Sequence, residues 1–399
     1  MPAARVISND SQELLALHLR RLGFDPPVAS QLAPIVCGVH VLLTGFAEHE
    51  LRALEAVQGL PPTLFGDAER ARGSALVYSQ REQLKDLARK MTGPLAEMGR
   101  HLLQAIERTA APPAPMRIGR RTFEWGSRTY LMGVVNVTPD SFSDGGKHAT
   151  ADTAVAAGER LAAEGVDLID IGGESTRPGS EPVPVEKELS RVVPVVERLS
   201  KLVDVPLSVD TTKAKVVEEA ARAGAGFAND ISGLTFDPDM APTCARLGLP
   251  VCAMHLRGRP RTMQEAPTYF DLVGEVIEGL QASLDLAARS GLPAEQIVVD
   301  PGLGFGKTAE HNLFLLRNLG QLRALGRPIL VGASRKSFIG KVTGRAVGER
   351  LPGSLAVLAA AVLGGADLIR VHDVAESKVA AQVVDAIARA REGGVAYGP

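Results

Sequence analysis

The sequence repeatedly places a hydrogen-bonding or ionisable residue directly after a short apolar run. In the first case the apolar residues 131–135 are followed by Asn136 and the polar loop VTPDSFSDGG. Apolar runs of this length, rich in β-branched residues, are typical of buried parallel strands. The pattern occurs eight times, and the polar residues concerned are Asn136, Asp170, Asp210, Asn229 with Asp230, His255, Asp300, Ser334 with Lys336, and Arg370 with His372. One such residue indicates only a turn, whereas eight of them predict a shared active site.

One subset of these residues suits a phosphate or diphosphate. Arg370 and His372 lie two positions apart, so both would point to the same face of a strand. With Asn136 and the loop 172–179 (GGESTRPG) they offer cationic and neutral donors. Asn136 can also supply a neutral oxygen to Mg²⁺, which usually keeps several waters and takes ligands from the phosphates. The structural alternative for Arg370 and His372 is a salt bridge to Asp373 on the rim.

A second subset suits a flat nitrogen heterocycle. Asp210 and Asp300 can accept hydrogen bonds from ring N–H and NH₂ groups, and Asn229 offers both a donor and an acceptor. Lys336 would balance the carboxylates and donate to a ring carbonyl or nitrogen. An ion pair between Lys336 and one aspartate is the structural alternative, but it does not account for all four residues.

The glycine-rich loop 301–307 (PGLGFGK) resembles a phosphate-binding loop but differs from it in spacing. From Gly302 to Gly306-Lys307-Thr308 it is one residue shorter than GxxxxGK[ST]. We therefore expect a mobile flap that carries Phe305 over the site rather than a phosphate loop.

The elements that would position these residues alternate between strands and helices. Helical spacing in segments such as 151–164 and 213–223 separates the strand candidates, which are residues 130–135, 167–171, 206–209, 226–229, 250–254, 297–299, 328–331 and 367–371. Eight βα units within about 270 residues match a (β/α)8 barrel, also called a TIM barrel. A doubly wound sheet is the alternative, but the sequence lacks the GxGxxG turn that is typical of it.

The first 115 residues predict a small, separate α/β domain. Its candidate elements are a helix that begins at residues 8–10, a strand at 39–43, a helix at 47–57, a strand at 74–79 and one or two helices within 80–109, broken near Gly93-Pro94. The proline-rich residues 110–115 predict an extended linker, so the barrel domain would span residues 116–399. Residues 117–129 predict an antiparallel hairpin that turns near Gly126 and plugs the bottom of the barrel. The first domain is either a stability or oligomerisation module or a regulator of mobile loops.

Composition excludes several classes of protein. The chain has 399 residues, 45% of them hydrophobic, and a formal net charge of −2, so it has no basic footprint for nucleic acid and no polybasic patch for a membrane. No apolar run approaches membrane-spanning length. The three cysteines, Cys37, Cys244 and Cys252, form no CxxC pair, which favours a reducing compartment over a disulfide scaffold. We therefore expect a soluble, cytoplasmic protein.

Seven motifs taken together resemble dihydropteroate synthase of the folate pathway, over about residues 122–390. They are NVTPDSFSDGG (136–146), IDIGGESTRPGS (169–180), SVDTTK (208–213), NDISG (229–233), DPGLGFGKT (300–308), SRKSFIG (334–340) and RVHDV (370–374). Members of this family join 6-hydroxymethyl-7,8-dihydropterin diphosphate to p-aminobenzoate, which releases pyrophosphate and forms 7,8-dihydropteroate. The resemblance also implies a homodimer formed through barrel helices.

The resemblance assigns a role to each matching residue. It implies a catalytic set of Asn136, Asp170, Lys336, Arg370 and His372, in which Asn136 helps to hold Mg²⁺ on the diphosphate. Thr176, Arg370 and His372 would contact the phosphates, and Asp210, Asn229, Asp300 and Lys336 the pterin. Arg177, Pro178, Phe305 and Ser334 would form the p-aminobenzoate pocket, with Met254 also among the substrate-binding residues. In the family pattern, pyrophosphate departs to leave an electron-deficient methylene that the aryl amine attacks, while the loops 136–146 and 172–179 exclude water.

One position departs from the family pattern, and two other functions compete with the synthase. Met254-His255 is followed by Leu256 and Arg257, where the family usually carries a second methionine, and we expect little effect on chemistry at this rim position. A pterin-dependent methyltransferase would share the barrel, but it has no diphosphate to bind. A catalytically silent, partner-binding barrel would lack charged residues at its strand ends, and none is missing here.

Overall fold

The computed structural model describes residues 3–7, 27, 39–65, 73–79, 81–137, 147–175 and 180–389, with the backbone alone at 3–7, 147–150 and 389. By its contacts the chain divides into two units. The first comprises Met1–Pro112 together with Gly320–Gly326, and the second comprises Pro113–Leu319 and Arg327–Pro399. The first boundary falls within the proline-rich residues 110–115. No sequence pattern predicted that residues 320–326 would be grouped with the first unit.

The first unit is a four-stranded antiparallel sheet with helices. The strands are β1 (Ala3–Ile7), β2 (Val39–Thr44), β3 (Thr63–Phe65) and β4 (Ala75–Ser79), in the order β1-β2-β4-β3. The helices are α1 (Glu48–Glu55), α2 (Arg81–Lys90) and α3 (Ala96–Ala110), with a 3₁₀ turn at Gly93–Leu95. The break near Gly93-Pro94 is confirmed, because proline opens this turn and cannot continue a helix. The sequence analysis missed β1 and β3, and the helix expected from residues 8–10 lies outside the described residues.

The second unit is a parallel eight-stranded barrel. Its strands are β7 (Tyr130–Asn136), β8 (Leu168–Gly172), β9 (Leu207–Asp210), β10 (Phe227–Asp230), β11 (Val251–Met254), β12 (Ile297–Asp300), β13 (Leu330–Val331) and β14 (Leu368–Val371). They pair in the order β12-β11-β10-β9-β8-β7-β14-β13, and a parallel bridge between Val299 and Ile329 joins the two ends. Each strand overlaps its predicted segment, so the (β/α)8 barrel is confirmed.

Helices follow the strands, as the alternating pattern predicted. They are α4 (Lys147–Glu164), α5 (Val185–Leu202), α6 (Ala214–Ala223), α7 (Met240–Leu247), α8 (Leu272–Arg289), α9 (Ala309–Arg317), α10 (Ser337–Thr343), α11 (Leu351–Leu363) and α12 (Val374–Arg389), with 3₁₀ turns at Ala294–Gln296, Leu319–Leu325 and Val347–Glu349. α6 ends at Gly224, whose φ of 118° lies where glycine is favoured and which lets the chain turn into β10. Among the described residues, no helix is both long and apolar enough to cross a membrane.

A hairpin closes the N-terminal end of the barrel. β5 (Met116–Ile118) pairs with β6 (Arg121–Phe123). Its apolar side chains share a core with Tyr130, Phe227 and other residues at the starts of barrel strands, so the predicted plug is confirmed. The predicted turn near Gly126 is wrong. Because Ile118 pairs with Arg121, the turn lies at residues 119–120, where Gly119 has a φ of 56° that suits a tight hairpin.

Candidate active site

Asp170 lies at the centre of a buried hydrogen-bond network inside the barrel. Its side chain is fully buried on β8. One carboxylate oxygen accepts from Ser208 Oγ at 2.6 Å, and the other accepts from Asn229 Nδ2 at 3.0 Å and from Arg370 Nε at 2.7 Å. Four strands therefore contribute to one network, in which a buried carboxylate has the several donors it needs.

Arg370 binds a second carboxylate as well. Its terminal nitrogen lies 2.7 Å from Asp210 Oδ2. Burial raises the pKa of Asp210, and the guanidinium opposes that shift. The sequence analysis placed Arg370 with the phosphates, but the structure directs two of its nitrogens to Asp170 and Asp210. The structure does not show the alternative of a pair between Arg370 and Asp373, because Arg335 Nε binds that carboxylate at 3.0 Å. A contact of Arg370 with a phosphate stays a prediction.

Asp300 ends β12 at the same mouth. The backbone N–H of Gly302 donates to its carboxylate at 2.6 Å. Burial raises the pKa of Asp300 to about 6, although this hydrogen bond and the charge of Lys336 act in the other direction. Gly302 has a φ of 69°, and a Cβ there would lie 2.0 Å from the carbonyl oxygen of His255. Only glycine fits this turn, which holds the chain close to the end of β11.

Lys336 supplies an ammonium beside the pocket. It immediately precedes α10, and its Nζ lies 4.1 Å from the centre of the Phe305 ring, a cation–π distance. Burial, followed by the charge of Arg370, lowers the pKa of Lys336 to about 8. Within the described part of the chain no carboxylate lies at ion-pair distance from it. The structural alternative of an ion pair with an aspartate is therefore not what the structure shows.

Ser334 and His372 form a polar pair on the rim. Ser334 Oγ lies 3.0 Å from His372 Nδ1, and it accepts from the His372 backbone N–H at 3.3 Å. Partial dehydration and the neighbouring Arg370 and Arg335 cations lower the pKa of His372 to about 4. His372 is therefore neutral at pH 7, and it offers a neutral donor to a phosphate.

The glycine-rich loop is tied to its surroundings by hydrogen bonds along its length. Gly304 N donates to Asn312 Oδ1 at 2.7 Å, and Gly304 O accepts from Gln264 Nε2 at 2.7 Å. Gly306 O accepts from the Tyr269 hydroxyl at 2.8 Å. The prediction of a mobile flap is not supported, because these contacts hold the loop on two sides.

Phe305 carries an apolar wall beside Lys336. Its side chain is 8% exposed and packs in a cluster with Ile231, Met254 and Met263. Met254 is the last residue of β11, which places this predicted substrate-binding residue at the barrel mouth. The wall and the ammonium together suit an aromatic ring that carries a polar group.

Arg257, which with Leu256 forms the departure from the family pattern, lies beside the glycine-rich loop. Its guanidinium lies 4.3 Å from the centre of the Tyr269 ring and 2.9 Å from Glu275. Its carbonyl oxygen approaches so closely that a Cβ on Gly306 would lie 2.5 Å from it. Arg257 thus joins the residues that hold the loop, and its effect on the reaction stays an expectation.

Asn136 and the residues of two loops complete the predicted site. Asn136 ends β7, is half-buried and pairs in register with Gly172 on β8. Thr176, Arg177 and Pro178 lie outside the described residues, as do residues 138–146. Among the described residues, no three His, Cys, Asp or Glu side chains form a metal-binding group.

Two features of the site were missed from the sequence. Ser208 lies two positions before Asp210 on β9, so the strand period alone could have placed it on the same face. Lys213 Nζ binds Glu174 and lies 2.6 Å from the fully buried Glu188. This cluster fixes the start of the loop that follows β8, and no local pattern revealed it.

Three comparisons identify similar proteins. The family model described as pterin binding enzyme matches residues 132–372. The curated dihydropteroate synthase of Synechocystis sp. is 47% identical over 278 residues, which cover 69% of this chain and 96% of that protein. The solved Xanthomonas albilineans dihydropteroate synthase with 4-aminobenzoic acid matches at a TM-score of 0.66 and 46% identity, covering 70% of this chain and 100% of that one. The same enzyme in complex with 7,8-dihydropteroate matches at a TM-score of 0.63, 43% identity and the same coverage.

Proposed function

The chain belongs to the pterin-binding enzymes and, among them, to the dihydropteroate synthases, and on that premise we propose how its barrel performs the reaction. It condenses 6-hydroxymethyl-7,8-dihydropterin diphosphate with p-aminobenzoate to give 7,8-dihydropteroate and pyrophosphate. The observation that carries this function is the convergence of Asp210, Asn229, Asp300 and Lys336 at one barrel mouth. Identity of 47% to a synthase over nearly its whole length supports the same conclusion.

The pterin occupies the carboxylate side of the mouth. Asp300 accepts from ring N–H and NH₂ groups, and its burial makes it a strong acceptor at neutral pH. The amide nitrogen of Asn229 is engaged by Asp170, which leaves its oxygen to accept from the ring. Asp210 contributes a second carboxylate, oriented by Arg370. Lys336 donates to the ring from the opposite side.

The aryl amine occupies the apolar side. Phe305 and Met254 line it, and Ser334 supplies a hydroxyl at the rim. The resemblance adds Arg177 and Pro178, which belong to the motif GGESTRPG (172–179). Lys336 stands between the two substrates, so its contact with the Phe305 ring links the aryl pocket to the pterin pocket.

The diphosphate occupies the rim, where neutral His372 donates to its oxygens, and the resemblance adds Thr176 as a second donor. Arg370 acts at longer range, because its charge is engaged by two buried carboxylates. Asn136 fits a Mg²⁺ site, since Mg²⁺ takes few protein ligands when phosphates and water supply the rest. When bound, Mg²⁺ would neutralise the leaving diphosphate.

In the reaction the C–O bond of the pterin methylene breaks and an N–C bond to the aryl amine forms. Pyrophosphate leaves with the bonding electrons, and the amine loses one proton after attack. The protein's own share is to orient the two substrates and to match the charge that develops, with Lys336 and the buried carboxylates already in place. The loops 136–146 and 172–179 would exclude the water that could trap the methylene.

Pyrophosphate release tests the function. The full chain is given the pterin diphosphate and Mg²⁺, with and without p-aminobenzoate, and a chelator serves to test the metal. Release should require p-aminobenzoate and should fall at least about 100-fold in folded Lys336→Ala and His372→Ala variants, a loss of about 2.7 kcal/mol. An Arg198→Ala variant, which loses only an exposed ion pair, serves as control. Methyl transfer from a methyl-pterin instead, or tight pterin binding without any turnover, would contradict the proposal.

A homodimer is the proposed assembly. α12 presents Val379, Val383 and Ile387 at intervals of four residues, and their exposed fractions are 62%, 55% and 61%. The adjacent α11 presents Leu363, which is 60% exposed. Apolar side chains grouped on neighbouring helices are typical of a surface covered by a partner. A second copy of the chain is the occupant that a symmetric interface would require.

The cytoplasm is the proposed compartment. Cys244 and Cys252 are buried, free thiols. Unpaired cysteines persist most readily in a reducing compartment. Fractionation of cells followed by an activity assay would test this placement.

A further inference from the structure

Lys307 is a buried lysine that the reaction does not use. Its side chain is 2% exposed, although lysine is almost never fully buried unless its charge is paired. Among the described residues no carboxylate lies at ion-pair distance from it. Its ammonium instead meets three neutral acceptors, which are Phe305 O at 3.0 Å, His255 Nδ1 at 3.0 Å and His255 O at 3.4 Å.

The geometry of His255 is that of an acceptor. When Lys307 carries its proton its ammonium can only donate, so His255 Nδ1 then carries the lone pair and the ring proton lies on Nε2. Burial, followed by the charges of Lys307 and Arg257, lowers the pKa of His255 well below its usual value, which keeps the ring neutral. Burial also lowers the pKa of Lys307 to about 7, while the charge of Asp300 opposes that shift.

The pair connects two elements that border the substrate pocket. His255 directly follows β11, whose last residue, Met254, packs against the Phe305 ring. Lys307 holds the backbone carbonyl of Phe305 itself. The Phe305 ring in turn lies 4.1 Å from Lys336 Nζ. A displacement of Phe305 would therefore alter both the apolar wall and the support for the Lys336 ammonium.

We propose that Lys307 and His255 form a brace that positions Phe305, and through its ring Lys336, for the p-aminobenzoate ring. Lys307 is a positioning residue, because it touches neither the reacting atoms nor the pterin. The inference rests on the proposed function, since it takes the Phe305 side of the mouth as the aryl-amine pocket.

A neighbouring hydrogen bond provides a matched comparison. The Tyr269 hydroxyl binds Gly306 O in the same loop at 2.8 Å, one residue away from the carbonyl that Lys307 holds. Loss of this bond weakens the loop without releasing Phe305. If Lys307 served only to stabilise the loop, Tyr269→Phe and Lys307→Met would change the same kinetic quantities.

Steady-state kinetics on the full chain tests the brace. Lys307→Met keeps the apolar stem and removes every donor, and we expect it to raise KM for p-aminobenzoate by at least about tenfold. KM for the pterin diphosphate should change by less than about twofold, and Tyr269→Phe should leave both constants near their original values. Lys307→Gln retains an N–H donor and should recover part of the affinity for p-aminobenzoate.

Each other result would overturn the brace. Unchanged KM for p-aminobenzoate in a folded Lys307→Met variant would show that Phe305 needs no such support. Equal rises for both substrates, or an equal effect of Tyr269→Phe, would show a general structural role. If Lys307→Met does not fold, Lys307→Gln decides the question. Its KM for p-aminobenzoate is then compared with its KM for the pterin diphosphate in the same way. Absence of turnover in the unaltered protein would instead contradict the proposed function.

Discussion

Arg370 and Asp170 are separated by 200 residues in the sequence, yet Arg370 Nε lies 2.7 Å from Asp170 Oδ2 inside the barrel. The contact joins β14 to β8 across the intervening β7. The same guanidinium reaches Asp210 on β9, so one cation neutralises two buried carboxylates. Arg370 therefore organises the carboxylate side of the site.

Asp170→Asn should destabilise the barrel by about 3 kcal/mol or more, because it leaves the partly buried Arg370 guanidinium with one carboxylate fewer. The acceptor for Ser208 and Asn229 is disturbed as well. Urea unfolding followed by circular dichroism measures the change. Asp152→Asn breaks an exposed ion pair with Arg198 and should cost less than about 1 kcal/mol. Similar losses in the two variants would contradict a central role for Asp170.

Pterin binding should weaken as the pH falls through 6. Burial raises the pKa of Asp300 in the folded protein from 3.8 to about 6, so the carboxylate takes up a proton below that pH and can no longer accept two donors. Affinity should fall roughly tenfold per pH unit below the pKa. Calorimetric titration with a pterin at pH 5, 6 and 7 measures this. Asp300→Asn should bind more weakly throughout and should lose the step near pH 6, leaving only the titration of Asp210, whose pKa burial also raises. An unchanged step near pH 6 would assign that titration to another group.

Phe123→Ala should destabilise the barrel by about 3 to 5 kcal/mol, because the removed ring fills the N-terminal end. Phe123 is 1% exposed, and its ring centre lies 4.7 Å from that of Tyr130 and 5.4 Å from that of Trp125. Trp125 is the single tryptophan of the chain, so its fluorescence reports unfolding at the plug directly. Phe270→Ala, at a residue 66% exposed, should change stability by less than about 0.5 kcal/mol.

Deletion of residues 1–115 should leave a folded barrel with measurable synthase activity. The truncated chain begins at Met116 and keeps the hairpin that closes the barrel. Deletion of residues 1–129 removes that hairpin as well and should prevent stable folding. Circular dichroism and pyrophosphate release distinguish the results. If the chain that lacks residues 1–115 is folded but inactive, the first unit acts on the active site.

Val383→Glu should convert a dimer into a monomer, because it buries a charge at the centre of the exposed apolar face on α12. Sedimentation velocity of the purified chain measures the assembly. Val342→Glu is the control, since Val342 is 62% exposed on α10 but lies outside the proposed face. A monomeric unaltered protein, or equal dissociation by both variants, would contradict this interface.

The sequence by itself determined the barrel and most of the residues at its mouth. Apolar runs that end in Asp210, Asn229 or Asp300 are local signals, because a buried parallel strand needs β-branched residues and its loop needs polar ones. The break at Gly93-Pro94 was readable for the same reason, since proline acts on its own backbone. The strands β1 and β3 were missed, because neither is a clear apolar run followed by a polar loop. The hairpin turn was placed at the wrong glycine, because Gly119 and Gly126 look alike in sequence.

Tertiary structure alone decided what each polar residue binds. Arg370 could have bound a phosphate, Asp373 or a carboxylate, and only the distances across the barrel assign it to Asp170 and Asp210. Likewise, the low pKa of His372 depends on dehydration and on two cations, of which Arg370 is a near neighbour in the chain and Arg335 is distant. Lys307 gave no signal, because its partners are a ring nitrogen on another strand end and two carbonyl groups. The charge of a side chain and the partners it binds depend on its burial and on its distance from residues elsewhere in the chain. The order of residues in the sequence shows neither.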